Sequence, residues 1–132
     1  MSEENVEIVR AALDAYNRGD REGGLKDMAP DFELDMSRAI SPDQRGVYRL
    51  DQMREFWDKF VETFESHRLE AEEFIESGDQ VIVPTTAHAQ GRDGIEVTAR
   101  TATVYTIRDG AIVRMSMYQT LQDALEAAGL SG

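Results

Sequence analysis

Several absences limit what this chain can be. It contains no cysteine, which excludes disulfides and thiolate metal sites. Its two histidines, His67 and His88, are too few for a histidine-rich zinc site. Basic residues number 14 against 26 acidic ones, and the net charge of −12 disfavours nucleic acids and anionic membranes as partners. No apolar run approaches the roughly 20 residues of a membrane span. We therefore expect no membrane or nucleic-acid partner, no metal and no other cofactor.

The length and the N-terminus narrow the class further. A chain of 132 residues suits a single domain over residues 1–132, large enough for a core and a small-ligand cavity. The first ten residues are acidic and enter a helical pattern at once, unlike a signal peptide. A cytoplasmic location is therefore expected.

The strongest local signal is an Asp109-Gly110 pair between two β-patterned runs. The first run extends from about Ile95 to Arg108 and the second from about Ala111 to Gln119. Asp-Gly here predicts a two-residue hairpin turn in which both residues take positive φ. A tight turn fixes the register, and the register fixes which side chains share a face of the sheet.

The rest of the pattern predicts helices first and a series of strands later. Apolar residues at helical spacing predict a first helix that ends near Asn17 and a main amphipathic helix from about Leu50 to Glu65. Alternation over Phe32 to Met36 predicts the first strand. The order α-α-β-α-β-β-β-β-α favours an α+β domain with helices on one face of a curved antiparallel sheet.

A set of short motifs, together with this order, resembles a known superfamily. The motifs are Asn17-Arg18-Gly19-Asp20, Pro30-Asp31, Gly78-Asp79, Arg108-Asp109-Gly110 and Ala124-Leu125-Glu126-Ala127-Ala128-Gly129-Leu130. The chain resembles the SnoaL-like family of the nuclear-transport-factor-2-like (ketosteroid isomerase-like) superfamily. The resemblance implies a cone-shaped α+β barrel, with the sheet wrapped around the N-terminal helices, a pocket between them and usually a homodimer. Members include polyketide cyclases, ketosteroid isomerases, dehydratases, epoxide hydrolases and non-catalytic binding modules, so the fold does not select one chemistry.

The hairpin register predicts one face of the last two strands. If Asp109-Gly110 is the whole turn, Val104 lies opposite Met115 and Arg100 lies opposite Gln119. The resemblance to ketosteroid isomerases, whose pocket residues fall in the matching strand phase, assigns this face to the pocket. The opposite face is then the outer face of the sheet, through which we expect a homodimer. A β-bulge would invert part of the assignment.

A second turn extends the prediction to the preceding strand. If Asp93-Gly94 is also a two-residue turn, Thr85 joins the pocket face and His88 falls on the outer face. The candidate pocket residues come from this face, from the apolar stripes of the helices, from the first strand at Met36 and from Tyr48 before the main helix. They are Tyr16, Met36, Tyr48, Phe56, Trp57, Phe60, Thr85, Arg100, Met115, Met117 and Gln119.

Three side chains are weak candidates for catalysis. A guanidinium on an apolar face needs an anion or several acceptors, so Arg100 either pairs with Gln119 and Glu96 or binds a ligand carboxylate or enolate oxygen. His88 could act as a base near neutral pH if it reaches the pocket. Asp35 alternates outward and becomes a candidate only if its strand slips by one residue.

The best-known reactions of the superfamily are disfavoured. The resemblance places the ketosteroid isomerase base at Met36, the tyrosine at Ala12 and the second acid at Thr103 or Val104, and none of these side chains can do that chemistry. The epoxide hydrolases use Arg-x-Asp, but here Arg100 is followed by Ala102.

Two hypotheses of different kinds remain. The first is a protein with an apolar pocket for a small hydrophobic or carboxylate-bearing ligand. It would be a cofactor-independent isomerase, cyclase or dehydratase, in which Arg100 polarises a carbonyl. The second is a non-catalytic dimeric binding module or protein-interaction module. The direction in which the carboxylates and His88 point would discriminate between them.

Overall fold

Over residues 2–38 and 46–130, which the computed structural model describes, the chain forms four helices and seven strands. The side chains of residues 2, 3, 21, 37, 38, 56, 60 and 61 lie outside this description. The predicted order is confirmed with two short additions, β2 and β4. The elements are α1 (Ser2–Asn17), α2 (Arg21–Leu25), β1 (Met28–Arg38), β2 (Val47–Arg49), α3 (Leu50–Thr63), β3 (Phe64–Ala71), β4 (Ile75–Ser77), β5 (Gln80–Gly91), β6 (Glu96–Arg108), β7 (Ala111–Tyr118) and α4 (Leu121–Ala127).

The strands form one curved sheet that is not closed into a barrel. Its order is β2-β1-β7-β6-β5-β3, and β4 also pairs with β5. All neighbouring pairs are antiparallel except β1 and β7, which run parallel. The α+β class and the curved antiparallel sheet are therefore confirmed, with a single parallel pair among the described strands.

Helices cover the sheet on both faces, but unequally. We call the face beneath α1 and α3 the concave face, and the opposite one the outer face. On the concave face, Val9 and Leu13 of α1 pack against Tyr105 of β6, and Met53 of α3 packs against Leu34 of β1. Helix α4 covers part of the outer face through Ala124, which packs with the buried residues Ile82, Ala102 and Val104. Within the described part of the chain, no helix is long and apolar enough to cross a membrane.

The Asp109-Gly110 turn is confirmed, with φ angles of 53° and 78°. The predicted register holds only next to the turn, where Ile107 pairs with Ile112. A bulge then adds one residue to β7, so that Thr106 pairs with Arg114. The Ile112 N–H donates to the carbonyl of Asp27 at 2.7 Å, which ties the start of β7 to the segment before β1. The prediction that Val104 lies opposite Met115 is wrong, because beyond the bulge Val104 pairs with Ser116 and Tyr105 with Met115.

The turn between β5 and β6 also differs from the prediction. Asp93-Gly94 is not a two-residue turn, because the connection extends from Arg92 to Ile95. The Gly91 N–H donates to Ile95 O at 2.8 Å, and Asp93 Oδ1 accepts from the Ile95 N–H at 3.1 Å. The longer loop shifts the register by one residue, so Arg100 pairs with Thr86.

Together, the two register shifts reverse the predicted faces of β6 and of no other strand in the β5–β6–β7 series. Each one-residue shift exchanges the faces of the strand that follows it. Two in succession restore the predicted face for β7, so Met117 lies on the concave face with Thr85 of β5, as predicted. Between them, β6 presents Thr103 and Tyr105 to the concave face. The prediction that Arg100 faces the pocket is therefore wrong, and its side chain lies on the outer face.

Candidate functional site

A tyrosine and a histidine meet between the end of α1 and the edge strand β3. Tyr16 follows Val9 and Leu13 on the stripe of α1 that faces the sheet. His67 shares the concave face of β3 with Leu69 and Ala71, opposite Ala89 of β5. The Tyr16 hydroxyl and His67 Nδ1 form a partly buried hydrogen bond between groups 51 residues apart in sequence.

Aromatic rings surround this Tyr16–His67 pair. The ring centroid of Trp57 lies 4.7 Å from that of Tyr16, and Phe64 lies 5.8 Å from His67. Trp57 of α3 is buried against α2. The contact is so close that a Cβ on Gly24 of α2 would lie only 2.8 Å from Trp57 Cη2. The pair thus has apolar walls on both sides, which weakens its hydration.

Burial sets the charge state of both groups. Desolvation raises the pKa of Tyr16 well above that of a free phenol, and it lowers the pKa of His67 below the ordinary value of 6.5. At neutral pH the phenol and the imidazole are therefore both uncharged. A neutral imidazole has one donor and one acceptor nitrogen, so Nδ1 either accepts from the Tyr16 hydroxyl or donates to it, depending on which nitrogen carries the ring proton.

Asn17, the next residue of α1, attaches the helix to β3. Its Oδ1 accepts from the Leu69 N–H and its Nδ2 donates to the Leu69 carbonyl, both at 2.8 Å. The motif that begins with this residue also ends α1 and starts α2. Gly19 takes a φ of 76°, and the Asp20 carboxylate accepts from the Gly23 N–H as the N-cap of α2.

The strands beside His67 carry small side chains on the concave face. Ala87 pairs with Ala99, and Ala89 pairs with Val97, across β5 and β6. These residues are half-buried, apart from Val97, which is 51% exposed. Small side chains thus keep the surface of the sheet beside the Tyr16–His67 pair low.

A shallow cavity of about 460 Å³, open to solvent, lies at the end of this surface. Its lining includes Phe64, which also contacts His67, together with Ile95 and Val97 from the β5–β6 hairpin. Arg92 lies at its rim and donates from Nε to the Glu62 carbonyl at 2.9 Å, which satisfies an acceptor at the C-terminus of α3. The ring of Phe64 thus lies between this cavity and the Tyr16–His67 pair.

The structure brings most of the predicted pocket residues to the concave side. The members there are Tyr16, Met36, Tyr48, Trp57, Thr85, Met115 and Met117. Arg100 and Gln119 lie elsewhere, in an outer-face groove of about 330 Å³ that Glu72 also lines. The side chains of Phe56 and Phe60 lie outside the described residues. Whether any of these residues binds a ligand stays a prediction.

The three predicted catalytic candidates all lie on the outer face, each with an ionic partner. Arg100 contacts both carboxylate oxygens of Glu72 at 2.8 and 3.0 Å. His88 lies 3.1 Å from Glu70. The outward direction predicted for His88 and Asp35 is confirmed.

Asp35 belongs to a network on the outer face of β1 and β7. It accepts from Arg114 at 2.7 Å, and Arg114 also donates to Glu33 and to the Ser116 hydroxyl. The carboxylate that sequence reasoning kept as a possible base is therefore a structural ion-pair partner. Over residues 2–38 and 46–130, no group of three histidine, aspartate or glutamate side chains is arranged to hold a metal ion.

Sequence reasoning did not identify His67 as a site residue. The charged segment from His67 to Glu76 predicted a strand with one face in water, and the histidine was placed on no face. The signal was present, because Leu69 and Ala71 alternate with Arg68 and Glu70 and indicate that His67 faces inward.

Comparison with known proteins supports the fold and the family. No curated protein matches the chain. A nuclear-transport-factor-2-like protein of unknown function from Burkholderia pseudomallei is 25% identical, with a TM-score of 0.77 over 96% of this chain and 97% of that one. TerC, co-crystallised with polyporic acid, is 26% identical, with a TM-score of 0.75 over 96% and 98%. A Xanthomonas campestris protein described as a polyketide cyclase is 18% identical, with a TM-score of 0.74 over 96% and 98%, and shows the fold alone.

The family follows from the sequence match. The profile of the SnoaL-like domain matches residues 9–115, from the middle of α1 into β7. This range includes both Tyr16 and His67 and covers well over half of the chain. The protein belongs to the SnoaL-like family and has the nuclear-transport-factor-2-like fold.

Proposed function

We propose that this protein binds a small, largely apolar ligand on the concave face, with the Tyr16–His67 pair as its polar contact. The observation that carries the proposal is the hydrogen bond between these two uncharged, partly buried side chains. Titratable groups that are desolvated in this way concentrate at functional sites. The rings of Trp57 and Phe64 beside the pair favour a planar or ring-bearing ligand.

The cavity next to Phe64 supports a place for the apolar body of the ligand. Its volume of about 460 Å³ falls within the usual 300–1,000 Å³ of small-molecule sites. Ile95 and Val97 are 61% and 51% exposed, so a ligand there would remove apolar surface from water. TerC, a protein of the same fold, was co-crystallised with polyporic acid, which supports a small-molecule ligand for this chain as well.

Proton transfer is the chemistry that the pair supports best. A neutral imidazole can accept a proton from a ligand carbon or oxygen, while the phenol donates a hydrogen bond to a carbonyl or enolate oxygen. This is the chemistry of a cofactor-independent isomerase, cyclase or dehydratase. Binding without turnover is the second candidate. It is favoured by the outward position of Asp35, which leaves that carboxylate on Arg114 and away from the concave face.

A neutral fluorescent ketone tests the binding site. The probe is 6-propionyl-2-dimethylaminonaphthalene, which carries one carbonyl acceptor, and the emission of Trp57, the single tryptophan, reports its approach. We expect saturable binding that weakens about five- to tenfold in Tyr16→Phe and His67→Phe, the loss expected for one hydrogen bond. His88→Phe, which changes the outer-face histidine, serves as the matched control. Equal affinity in all four proteins, or no saturable binding, would overturn the proposal.

A second experiment separates catalysis from binding. Native mass spectrometry of the protein taken directly from cells identifies a co-purified compound. That compound is then incubated in D₂O with a catalytic amount of wild-type protein or His67→Phe. Deuterium uptake with the wild type alone supports proton transfer at His67. Equal uptake with both proteins, or none with either, supports a binding module.

We also propose that two copies of the chain associate through the outer face of β1, β2 and β7. Arg49 lies opposite Glu33 there, and Arg114 bridges Glu33 and Asp35, so the two arginines offset these two carboxylates. For a chain with a net charge of −12, such pairing lowers the like-charge repulsion between two copies at this patch. Val47, beside Asp35, is 49% exposed and supplies an apolar contact.

Light scattering coupled to size-exclusion chromatography tests this association. We expect twice the 14.8 kDa of one chain for the wild type and a single-chain mass for Val47→Glu. Val47 is exposed, but the new carboxylate lies opposite Asp35, so the variant must first give the same circular dichroism spectrum as the wild type. A wild-type protein of single-chain mass would contradict the proposed dimer, and so would an unchanged Val47→Glu dimer.

A further inference from the structure

Asn17 makes an unusual two-point contact with the edge strand beside the candidate site. Its side-chain amide accepts from the Leu69 N–H and donates to the Leu69 carbonyl, each at 2.8 Å. An amide in this arrangement replaces the backbone of a neighbouring strand. Two hydrogen bonds from one planar group fix both the distance and the angle between the end of α1 and β3.

The contact lies next to the Tyr16–His67 pair on the same two elements. Tyr16 directly precedes Asn17 on α1, and His67 lies two residues before Leu69 on β3, so both pairs bridge the same gap. The Tyr16–His67 hydrogen bond joins the ends of two side chains, whereas the Asn17 amide contacts the backbone of β3 directly. The Asn17–Leu69 contact sets the separation at which that bond can form.

The chemistry of the contact requires an amide. Asparagine offers one acceptor and two donors on a short stem. An aspartate could still accept from the Leu69 N–H, but it would set a negative charge against the Leu69 carbonyl. An alanine would leave both Leu69 groups without this partner.

We propose that Asn17 is a positioning residue, which holds the His67 imidazole against the Tyr16 hydroxyl. Its functional meaning rests on the proposed ligand site, whereas its geometric effect can be measured without any ligand. The proposal also assigns a role to the first residue of the Asn17-Arg18-Gly19-Asp20 motif, whose Gly19 and Asp20 only end one helix and begin the next.

The test observes His67 by long-range ¹H–¹⁵N nuclear magnetic resonance in a pH titration of the ligand-free protein. In the wild type we expect a neutral imidazole whose pKa lies below the ordinary value, because of burial. In Asn17→Ala and Asn17→Ser we expect the His67 pKa to move up toward that ordinary value as water reaches the ring. Asn17→Ser adds no charge beside His67 and keeps a polar group at the contact, so it provides a second variant if Asn17→Ala does not fold.

Thr120→Ala is the matched control for a loss of stability alone. Thr120 caps α4 on the outer face, where its hydroxyl accepts from the Asp123 N–H at 3.1 Å. Its removal lowers the thermal stability of the protein, and we expect the His67 titration to stay as in the wild type. The inference is overturned if the His67 titration of the Asn17 variants stays as in the wild type, whether or not these variants lose stability.

The ketone probe separates this inference from the proposed function. We expect the Asn17 variants to bind the probe about as weakly as His67→Phe, and Thr120→Ala to bind it like the wild type. If His67→Phe binds the probe as well as the wild type does, the proposed ligand site fails, and the ligand-free titration still decides the role of Asn17. If His67→Phe weakens binding but the Asn17 variants do not, the positioning role fails and the site stands.

Discussion

Replacing Gly24 with alanine has two opposing effects on the stability of the fold: overpacking against Trp57 lowers it, and the higher helix propensity of alanine raises it. Gly24 lies in α2 directly against the ring of Trp57. A Cβ at this position would lie 2.8 Å from Cη2 and 3.1 Å from Cζ3 of that ring. Carbon atoms in ordinary contact are about 3.5–4.0 Å apart, so the ring or the helix must move by about 0.7 Å or more. Trp57 is only 7% exposed and has little free space to move into.

The magnitude follows from these two terms. Overpacking of this kind costs about 1–3 kcal/mol, whereas glycine to alanine inside a helix gains at most about 1 kcal/mol. We expect Gly24→Ala to lower the free energy of unfolding by about 1 kcal/mol, which corresponds to about 3–4 °C in Tm for a chain of this size. The displaced Trp57 ring also moves relative to Tyr16.

Urea denaturation followed by Trp57 fluorescence measures both consequences. The chain has one tryptophan, so the native emission spectrum reports this ring alone. Gly23→Ala is the control in the same helix, because its Cβ would meet the Asp20 carboxylate and not Trp57. We expect both variants to lose stability and only Gly24→Ala to shift the native emission. A Gly24→Ala protein that is more stable than the wild type, with unchanged emission, would refute this account of the packing.

Three further substitutions test other parts of the structure. Because burial lowers the pKa of His67, the unfolded chain binds the proton more readily, so stability is lost as the pH falls below about 6.5. Between pH 7 and 5, the free energy of unfolding measured in urea should fall more steeply for the wild type than for His67→Phe. The two slopes should differ by at most about 1.4 kcal/mol per pH unit; parallel curves would contradict this. Arg114→Met leaves Glu33 and Asp35 without their shared cation and should lower the free energy of unfolding, measured in urea, by about 1–3 kcal/mol; an unchanged free energy of unfolding would contradict this. Gly110→Val forces a β-branched residue to a φ of 78° and should cost more than 1 kcal/mol by thermal denaturation, and a neutral effect would mean that the turn rearranges.

The sequence predicted the fold well because its signals are local. Asp109-Gly110 selects its turn through the φ angles of two residues, and α1 and α3 follow from the spacing of their own apolar residues. None of these inferences needs a distant contact. The order of helices and strands could therefore be written down from the chain alone.

The candidate site was harder to predict because register errors propagate along a sheet. The bulge after Thr106 lies beside the hydrogen bond from Ile112 to Asp27, a residue remote in sequence. The loop from Arg92 to Ile95 depends on the Asp93 side chain and not on the Asp-Gly pair alone. Each adds one residue, so the face of β5 was predicted correctly, the face of β6 was inverted, and the face of β7 was correct because the two errors cancel. Arg100 was misplaced for this reason alone.

The Tyr16–His67 pair shows a different limit. Tyr16 could be assigned to the pocket from the helical stripe of α1. Its partner lies 51 residues away on a strand with few apolar residues, and only tertiary packing brings the two together. A pairwise contact of this kind leaves no periodic signal in a single sequence.

The Asn17 contact has a consequence for the behaviour of the chain at high concentration. Strand β3 is one edge of the sheet, and an uncovered edge offers its N–H and C=O groups to a strand of another molecule. The Asn17 amide occupies the two backbone groups of Leu69 in the middle of that edge. An Asn17→Ala protein therefore exposes the backbone N–H and C=O of Leu69 at this edge, and its helix α1 is held less firmly to β3. Its first visible defect would be concentration-dependent aggregation on storage, at temperatures far below its Tm.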